Sequence, residues 1–206
     1  MDMTSGTNFV QLCGSMGVRP VFSHSSRNQE FYTFPLEVQR LSGNIDTLNI
    51  IIRSRQLADI EAEPRSKLKI TGELRSFNNR CGQGAKLVIT VFAKELYFCE
   101  DEDMNAVHLK GTLCREPKLR CTPTGKDICD LMLAVNRRYG RSDYLPCICW
   151  GQNAGTASLW TTGTEIVLNG RIQSRDYIKL TDSGPLEKTA YEVSAAEINE
   201  LAAEYF

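Results

Sequence analysis

The chain has 206 residues, a formal charge of −1 and 42% hydrophobic residues. This length suits two domains of about 100 residues, and the apolar content suffices for two cores without metal or disulfide support. No apolar run approaches the roughly 20 residues of a membrane span, and the first residues lack the character of a signal peptide. We therefore expect a cytoplasmic protein with no membrane partner.

The eight cysteines are scattered through strand-like segments, without the spacing of a disulfide scaffold. We interpret them as reduced, buried thiols. Cys114, Cys121 and the nearby His108 have poor spacing for zinc, so neither a metal nor any other cofactor is predicted.

The first predicted strand begins an internal repeat. Its residues Asn, Val, Leu and Gly at positions 8, 10, 12 and 14 recur at positions 105, 107, 109 and 111, an offset of 97. The same offset relates Asp46 to Asp143, and insertions raise it to 98 and then 102 further along the chain. The sequence therefore predicts two tandem copies of one domain, residues 1–104 and residues 105–206, with the acidic stretch 100–103 as a flexible linker.

Alternating or β-rich runs predict the strands. The clearest runs are residues 87–92, 131–135, 144–150 and 165–172. Residues 123–125 and 182–184 predict hairpin loops, and residues 153–160 predict a short helix. Each copy is thus expected to be a five-stranded barrel with one short helix, which makes the protein all-β with two tandem barrels.

Charge is unevenly distributed in the second copy. Residues 105–178 carry a net charge of +4, whereas residues 179–206 carry −4. A locally positive surface attracts phosphates even when the whole chain is nearly neutral.

Large aromatic residues lie among this positive charge. They are Tyr139, Tyr144, Trp150 and Tyr177, and the basic residues expected to bind beside them are Lys118, Arg120, Arg137, Arg138, Arg171 and Arg175. Every nucleobase has a flat π face, so aromatic platforms stack on bases whatever their identity. The alternative is that these rings pack in the core, as most tyrosines and tryptophans of β proteins do.

Tyr144 and Trp150 are six residues apart, so they share one face of a continuous strand. The alternation predicts two sets of side chains along this strand. Tyr144, Pro146, Ile148 and Trp150 are expected to meet solvent and ligand, while Leu145, Cys147 and Cys149 are expected to fill the barrel.

Several segments of the second copy resemble the bacterial single-stranded-DNA-binding protein family. The resemblance runs through residues 109–113, 115–120, 122–126, 133–138, 147–151, 170–171 and 191–193. It implies an OB-fold barrel in which Tyr139, Tyr144, Trp150 and Tyr177 stack on bases. It also implies an assembly of four barrels, which a homodimer of this chain would supply, and a role in DNA replication, recombination or repair with partner proteins of those processes.

The first copy lacks all four aromatic residues. The equivalent positions are Ser42, Thr47, Arg53 and Asn79. Secondary phosphate contacts are expected instead from Arg40, Arg53, Arg55 and Arg75, with ordinary solvated strand positions as the alternative. Phe31, Tyr32 and Phe34 are expected in the core or at the barrel rim.

These features favour sequence-independent binding of single-stranded DNA, without catalysis. Only two histidines exist, and Asp46 and Asp143 are isolated carboxylates at equivalent strand starts, which do not form an acidic cluster able to hold two metals. The competing interpretation is a protein-interaction module of a primosome-like assembly, since primosomal replication protein N resembles the same family.

Overall fold

The computed structural model of the protein describes residues 6–57, 63–79, 87–137, 140–181 and 184–201. The elements of the first copy are β1 (Asn8–Met16), β2 (Val21–Ser26), β3 (Gln29–Gln39), β4 (Ile45–Arg53), α1 (Ser54–Leu57), β5 (Lys67–Asn78) and β6 (Leu87–Phe98). Those of the second copy are β7 (Met104–Leu113), β8 (Lys118–Cys121), β9 (Asp127–Asn136), β10 (Ser142–Trp150), α2 (Gln152–Ala157), β11 (Glu165–Thr181) and β12 (Gly184–Glu200). The predicted strands and the short helix after β10 are confirmed.

Both predicted hairpin loops fall between strands. The loop at residues 123–125 joins β8 to β9, where the amide of Thr122 donates to the carbonyl of Lys126 at 2.8 Å. Gly125 in this turn has a φ of 78°, a conformation that favours glycine. The loop at residues 182–184 separates β11 from β12, and its residues 182 and 183 lie outside the described residues.

Contacts within the chain divide it into two compact units. The first barrel comprises Val10–Asn105 together with Gln173–Tyr191. The second barrel comprises Ala106–Ile172 and the described parts of Met1–Phe9 and Glu192–Phe206. The end of the β11–β12 hairpin therefore belongs to the first barrel by contacts, although its sequence belongs to the second copy. The boundary near residue 104 stays a prediction that follows from the sequence repeat.

Each unit is a closed five-stranded barrel. In the first barrel the strand order is β3-β4-β6-β5-β1, an additional β3–β1 pairing closes the ring, and β2 pairs with β3 outside it. The second barrel has the equivalent order β9-β10-β12-β11-β7, closed by β7–β9, with β8 beside β9. The β4–β6 and β10–β12 pairs are parallel. The protein is thus all-β, with two tandem barrels of the OB type.

Alternation of side chains along the strands fills both cores. On β4, Leu48, Ile50 and Ile52 are fully buried, and on β9, Leu133 and Val135 are fully buried. Neighbours in sequence point to the opposite face, because successive side chains of a strand alternate. Burying each such aliphatic side chain contributes roughly 1.5–3 kcal/mol to folding.

Two glycines of the repeat mark where strands approach too closely for a side chain. A Cβ on Gly72 would lie 2.3 Å from the carbonyl oxygen of Phe92, and one on Gly170 would lie 2.2 Å from that of Ser194. These are equivalent positions of the two copies, so the same crowding between β5 and β6 and between β11 and β12 requires glycine in both.

The acidic stretch between the copies is not the flexible linker expected from its sequence. Asp101 forms an ion pair with Lys69 at 3.1 Å, and Asp103 pairs with Lys67 and accepts a hydrogen bond of 2.5 Å from the amide of Gln39. The hydrogen bond to Asp103 raises the pKa of Lys67. Two of the four carboxylates thus hold this stretch against the first barrel.

Candidate nucleic-acid interface

Strand β10 presents two large aromatic side chains on the second barrel. Tyr144 is 50% exposed and Trp150 is 41% exposed, whereas Leu145, Cys147 and Cys149 are buried. Tyr144 is directly opposite Ala134 of β9, a side chain too small to cover its ring. The predicted division of this strand into an outer aromatic face and an inner core face therefore holds at these positions.

The prediction was wrong for Ile148, which was expected to meet solvent and is 3% exposed. Ile148 has register partners on both sides, Asp130 of β9 and Ser194 of β12. In-register neighbours share a face of the sheet, so they flank the Ile148 side chain from two directions. Tyr144 and Trp150 lie beyond the two residues of β10 that pair with β12, which leaves their rings open.

Arg137 lies at the end of β9 and forms an ion pair with Asp143, whose side chain is wholly buried. Its Nε is 2.6 Å from Oδ2 of that carboxylate, so much of its hydrogen-bonding capacity is used within the barrel. Arg138 and Tyr139, which follow it, lie outside the described residues. Contacts of these three residues with a ligand stay predictions.

The β8–β9 hairpin carries the next two predicted cations. Arg120 forms a two-point ion pair with Asp130, with Nε 2.6 Å from Oδ2, and both side chains are partly exposed. This hydrogen bond raises the pKa of Arg120. Lys118 is exposed and is directly opposite Asp130 in the β8–β9 register. One carboxylate therefore offsets part of the positive charge of this hairpin.

The remaining predicted residues of the second copy lie along β11. Arg171 is exposed and belongs to the second barrel. Arg175 and Tyr177 are exposed and belong to the first barrel, where the Arg175 guanidinium is 5.7 Å from the Tyr177 ring centroid. The structure thus brings Tyr144 together with Trp150 on one strand and Arg175 together with Tyr177 on another, in different compact units.

In the first barrel, Arg40 forms an ion pair equivalent to that between Arg137 and Asp143 in the second barrel. It binds the fully buried carboxylate of Asp46 at 2.5 Å, and Asp46 also accepts a hydrogen bond of 2.8 Å from the amide of Ser174. The Ser174 hydroxyl in turn accepts from the amide of Thr47 at 3.0 Å. Arg40 therefore holds the end of the β11–β12 hairpin against the first barrel.

Two of the other arginines predicted in the first barrel lie over an aromatic residue that the sequence did not single out. The guanidinium of Arg53 is 4.8 Å from the ring centroid of Phe92, and that of Arg75 is 5.9 Å from it. Burial, followed by repulsion from Arg55, lowers the pKa of Arg53. Arg75 also pairs with Glu73, and Arg55 is exposed on α1. Phe92 was missed because aromatics were sought only at the positions equivalent to those of the second copy.

Of the three aromatic residues assigned to the core or rim, Phe34 is buried and Phe31 and Tyr32 are half-buried. Within the described part of the chain, no helix is long and apolar enough to span a membrane.

The sequence of the second half is similar to those of known proteins. The model of the family described as "Single-strand binding protein family" matches residues 104–201. The single-stranded DNA-binding protein of Clostridium tetani is 40% identical over 81 residues, and single-stranded DNA-binding protein 3 of Clostridium acetobutylicum is 38% identical over 81 residues. In both cases the match covers 36% of this chain and 56% of the relative, so the chain spans about half the length of these relatives.

A solved structure covers both halves of the chain. The crystal structure of the wild-type single-stranded DNA binding protein from Thermus aquaticus matches with a TM-score of 0.79 and 23% identity, over 98% of this chain and 96% of that one. At 23% identity, the match shows the fold alone, and it does so for both halves of the chain. The chain is therefore a tandem OB-fold protein whose residues 104–201 match the model of the single-strand binding protein family.

Proposed function

We propose that this protein binds single-stranded DNA without sequence preference, by stacking bases on the outer face of β10 and by neutralising phosphates with the cations around it. The observation that carries the proposal is the exposure of Tyr144 and Trp150 on a strand whose alternate residues fill the core. Each stacked base contributes about 1–3 kcal/mol to binding. The names of the relatives with 38–40% identity support DNA as the ligand.

The proposed phosphate contacts come from cations of both barrels. In the second barrel they are Lys118, Arg120, Arg138 and Arg171, and Arg175 acts beside the stacking residue Tyr177. Tyr139 is proposed as a fourth stacking residue. Arg137 contributes mainly by pairing with the buried carboxylate of Asp143, which leaves its guanidinium few donors for a phosphate. Arg53, Arg55 and Arg75 add secondary contacts from the first barrel. Arg40 was also predicted to do so, but its guanidinium pairs with the buried Asp46, so its contribution is mainly structural.

The test is tryptophan fluorescence during titration with oligo-dT at low and high salt. Trp160 follows α2 and is the second tryptophan of the chain, so Trp160→Phe leaves Trp150 as the one indole reporter. Stacking on Trp150 quenches its emission, and phosphate contacts make the affinity fall as salt rises.

Two variants in the Trp160→Phe background serve as controls. Tyr144→Ala should weaken binding about tenfold while leaving the Trp150 signal available, since one stacking platform is lost. Leu159→Ala removes an exposed apolar side chain outside β10 and should change nothing. Unquenched emission together with no oligo-dT binding would instead favour a protein-interaction module.

We also propose that this binding serves DNA replication, recombination or repair, processes in which single strands are exposed, and that two chains associate to present four barrels. Sedimentation equilibrium at micromolar concentration should give twice the mass of one chain. A monomer at all concentrations would remove the four-barrel assembly from the proposal and leave DNA binding by one chain untouched.

A further inference from the structure

A row of flat side chains crosses the outer side of the first barrel. The imidazole of His24 on β2 stacks on Phe31 of β3, with ring centroids 4.8 Å apart and planes 12° apart. Phe31 in turn lies 6.2 Å from Phe92 of β6. Arg53 of β4 continues the row, because its guanidinium lies over the Phe92 ring at 4.8 Å. Four strands thus contribute one continuous series of flat groups.

Strand register shows how this row corresponds to the second barrel. Ile50 pairs with Val91 in the first barrel as Cys147 pairs with Val193 in the second. From these pairs, Arg53 occupies the position of Trp150, and Phe92 occupies that of Ser194. The first barrel therefore lacks an aromatic where the second has Trp150, and gains one on the neighbouring strand, where the second has serine.

A second exchange of the same kind occurs on β5. Phe77 is 49% exposed and corresponds to Arg175, while Asn79, two residues later, corresponds to Tyr177. Residues two apart share a face of a strand, so the aromatic has moved one step along the same face. Arg75 and Phe77 are accordingly on the face that also carries Glu73, whose register partner is Phe92, and Asn79 follows the end of the strand.

We propose that the first barrel is a second single-stranded-DNA-binding surface, in which Phe31, Phe92 and Phe77 replace the stacking residues lost from the positions equivalent to the second barrel. Arg53 takes part in the stack through its planar guanidinium and binds phosphate together with Arg55. This proposal rests on the proposed function, and it adds that residues of the first barrel stack on bases as well as binding phosphates.

The charges of this surface favour an anionic, flat ligand. Glu73 is its acidic member, and it pairs with both Arg75 and Lys94. Arg53 forms no such pair, and its Nε is buried without a hydrogen-bond partner among the described residues. A guanidinium held over an aromatic ring only to stabilise the fold would be expected to have an acceptor. A nucleotide supplies both the acceptor and a further flat face.

The experiment compares Phe31→Leu/Phe92→Leu with Phe98→Leu in the Trp160→Phe chain. Leucine keeps apolar volume at the half-buried positions and removes the π face. Phe98 is 55% exposed at the far end of β6, so it controls for the loss of an exposed phenylalanine. Two readouts are taken: quenching of Trp150 by short oligo-dT, and affinity and nucleotides bound per chain for long oligo-dT, from the anisotropy of a labelled strand.

We expect the double variant to keep the Trp150 quenching, to lose about tenfold in affinity for the long strand and to bind about half as many nucleotides per chain. Arg53→Lys, which retains the charge and removes the planar group, should show the same pattern more weakly. If the double variant and Arg53→Lys both behave as Phe98→Leu does, the second surface does not exist.

Failure of the proposed function gives a different result. Unquenched Trp150 together with long-strand binding that the double variant abolishes would place DNA on the first barrel alone and would uphold the inference. A chain that binds no single-stranded DNA in either assay would overturn both. Circular dichroism melting of each variant confirms that the barrel is intact.

Discussion

The guanidinium of Arg137 forms a two-point ion pair with the carboxylate of Asp143, which is wholly buried. Next to this ion pair, the amide of Arg137 donates to the carbonyl of Arg141 at 2.6 Å, and Gly140 has a φ of 73°. A cation fixed in this way has few donors left for a ligand.

Replacing Arg137 should therefore affect stability more than binding. Arg137→Gln leaves a buried carboxylate without its cation, which should lower the free energy of unfolding by about 3 kcal/mol. Arg171→Gln, at an exposed position of β11, should change stability by less than about 0.5 kcal/mol and still weaken DNA binding. Urea unfolding and oligo-dT titration measure the two effects. An Arg137→Gln chain of full stability with lost affinity would contradict this assignment.

The ion pair of Arg120 with Asp130 predicts a variant that binds more tightly. Asp130→Asn releases Arg120 and removes the acid opposite Lys118. We expect a two- to fivefold gain in affinity for oligo-dT and a salt dependence steeper by about 0.7 in log–log slope, as for one added phosphate contact. Because the pair is solvent-exposed, stability should change by less than about 1 kcal/mol.

The matched control for this prediction is Asp127→Asn. Asp127 is exposed at the start of the same strand, so the change in net charge is identical. If both variants bind equally tightly, the gain reflects the general charge of the hairpin, and the specific competition between Asp130 and DNA is ruled out.

Much of the fold could be predicted from the sequence, because the signals are local or repeated. Alternating runs gave β6, β9 and β10, and the repeat indicated that both halves share one architecture. The fate of individual side chains was less predictable. By alternation, Ile148 lies on the face predicted to be exposed, and it is nevertheless buried. The reason is that β9 and β12 place Asp130 and Ser194 beside it.

Side-chain pairing accounts for the rest of the difference. A count of arginines shows where positive charge is dense. It cannot show that Arg137 and Arg40 pair with buried aspartates, or that Arg53 lies over an aromatic ring. Such contacts depend on register between strands. The assignment of Tyr177 to the first barrel has the same origin, since it depends on how far the β11–β12 hairpin extends.

Stability should fall in alkaline solution because of the buried thiols. Burial raises the pKa of Cys13 and of Cys149 to about 12, and it also raises that of Cys147. In the unfolded chain these thiols ionise near pH 8.5. Above that pH the unfolded state binds fewer protons than the folded state, so the free energy of unfolding decreases as pH rises towards 12.

We expect a loss of at least about 2 kcal/mol between pH 8 and pH 10. Urea unfolding at both pH values measures it. Cys149→Ala removes one of the buried thiols and should flatten the dependence, whereas Cys121→Ala, at an exposed position, should leave it as it is. A free energy of unfolding that is constant over this range would mean that the thiols ionise equally in both states.

The same burial predicts which thiols react in the native protein. Cys121 is exposed at the end of β8, whereas Cys129, Cys147 and Cys149 are buried. Burial raises the pKa of all three buried thiols, and the pKa of about 12 for Cys149 leaves roughly one thiolate in ten thousand at pH 8, where the thiolate is the reactive form. Brief alkylation followed by peptide mapping should therefore label Cys121 at least tenfold faster than the three buried thiols, and urea should remove the difference.

This reaction also reports on the proposed interface, because Cys121 directly follows Arg120. If phosphates bind at Arg120, saturating oligo-dT should slow the labelling of Cys121 severalfold, and high salt should restore it as the DNA dissociates. Cys114, which is half-buried at the start of the connection before β8, serves as the internal reference within the same sample. Equal protection of both thiols would indicate a general tightening of the barrel, and unchanged labelling of Cys121 would place the DNA away from this hairpin.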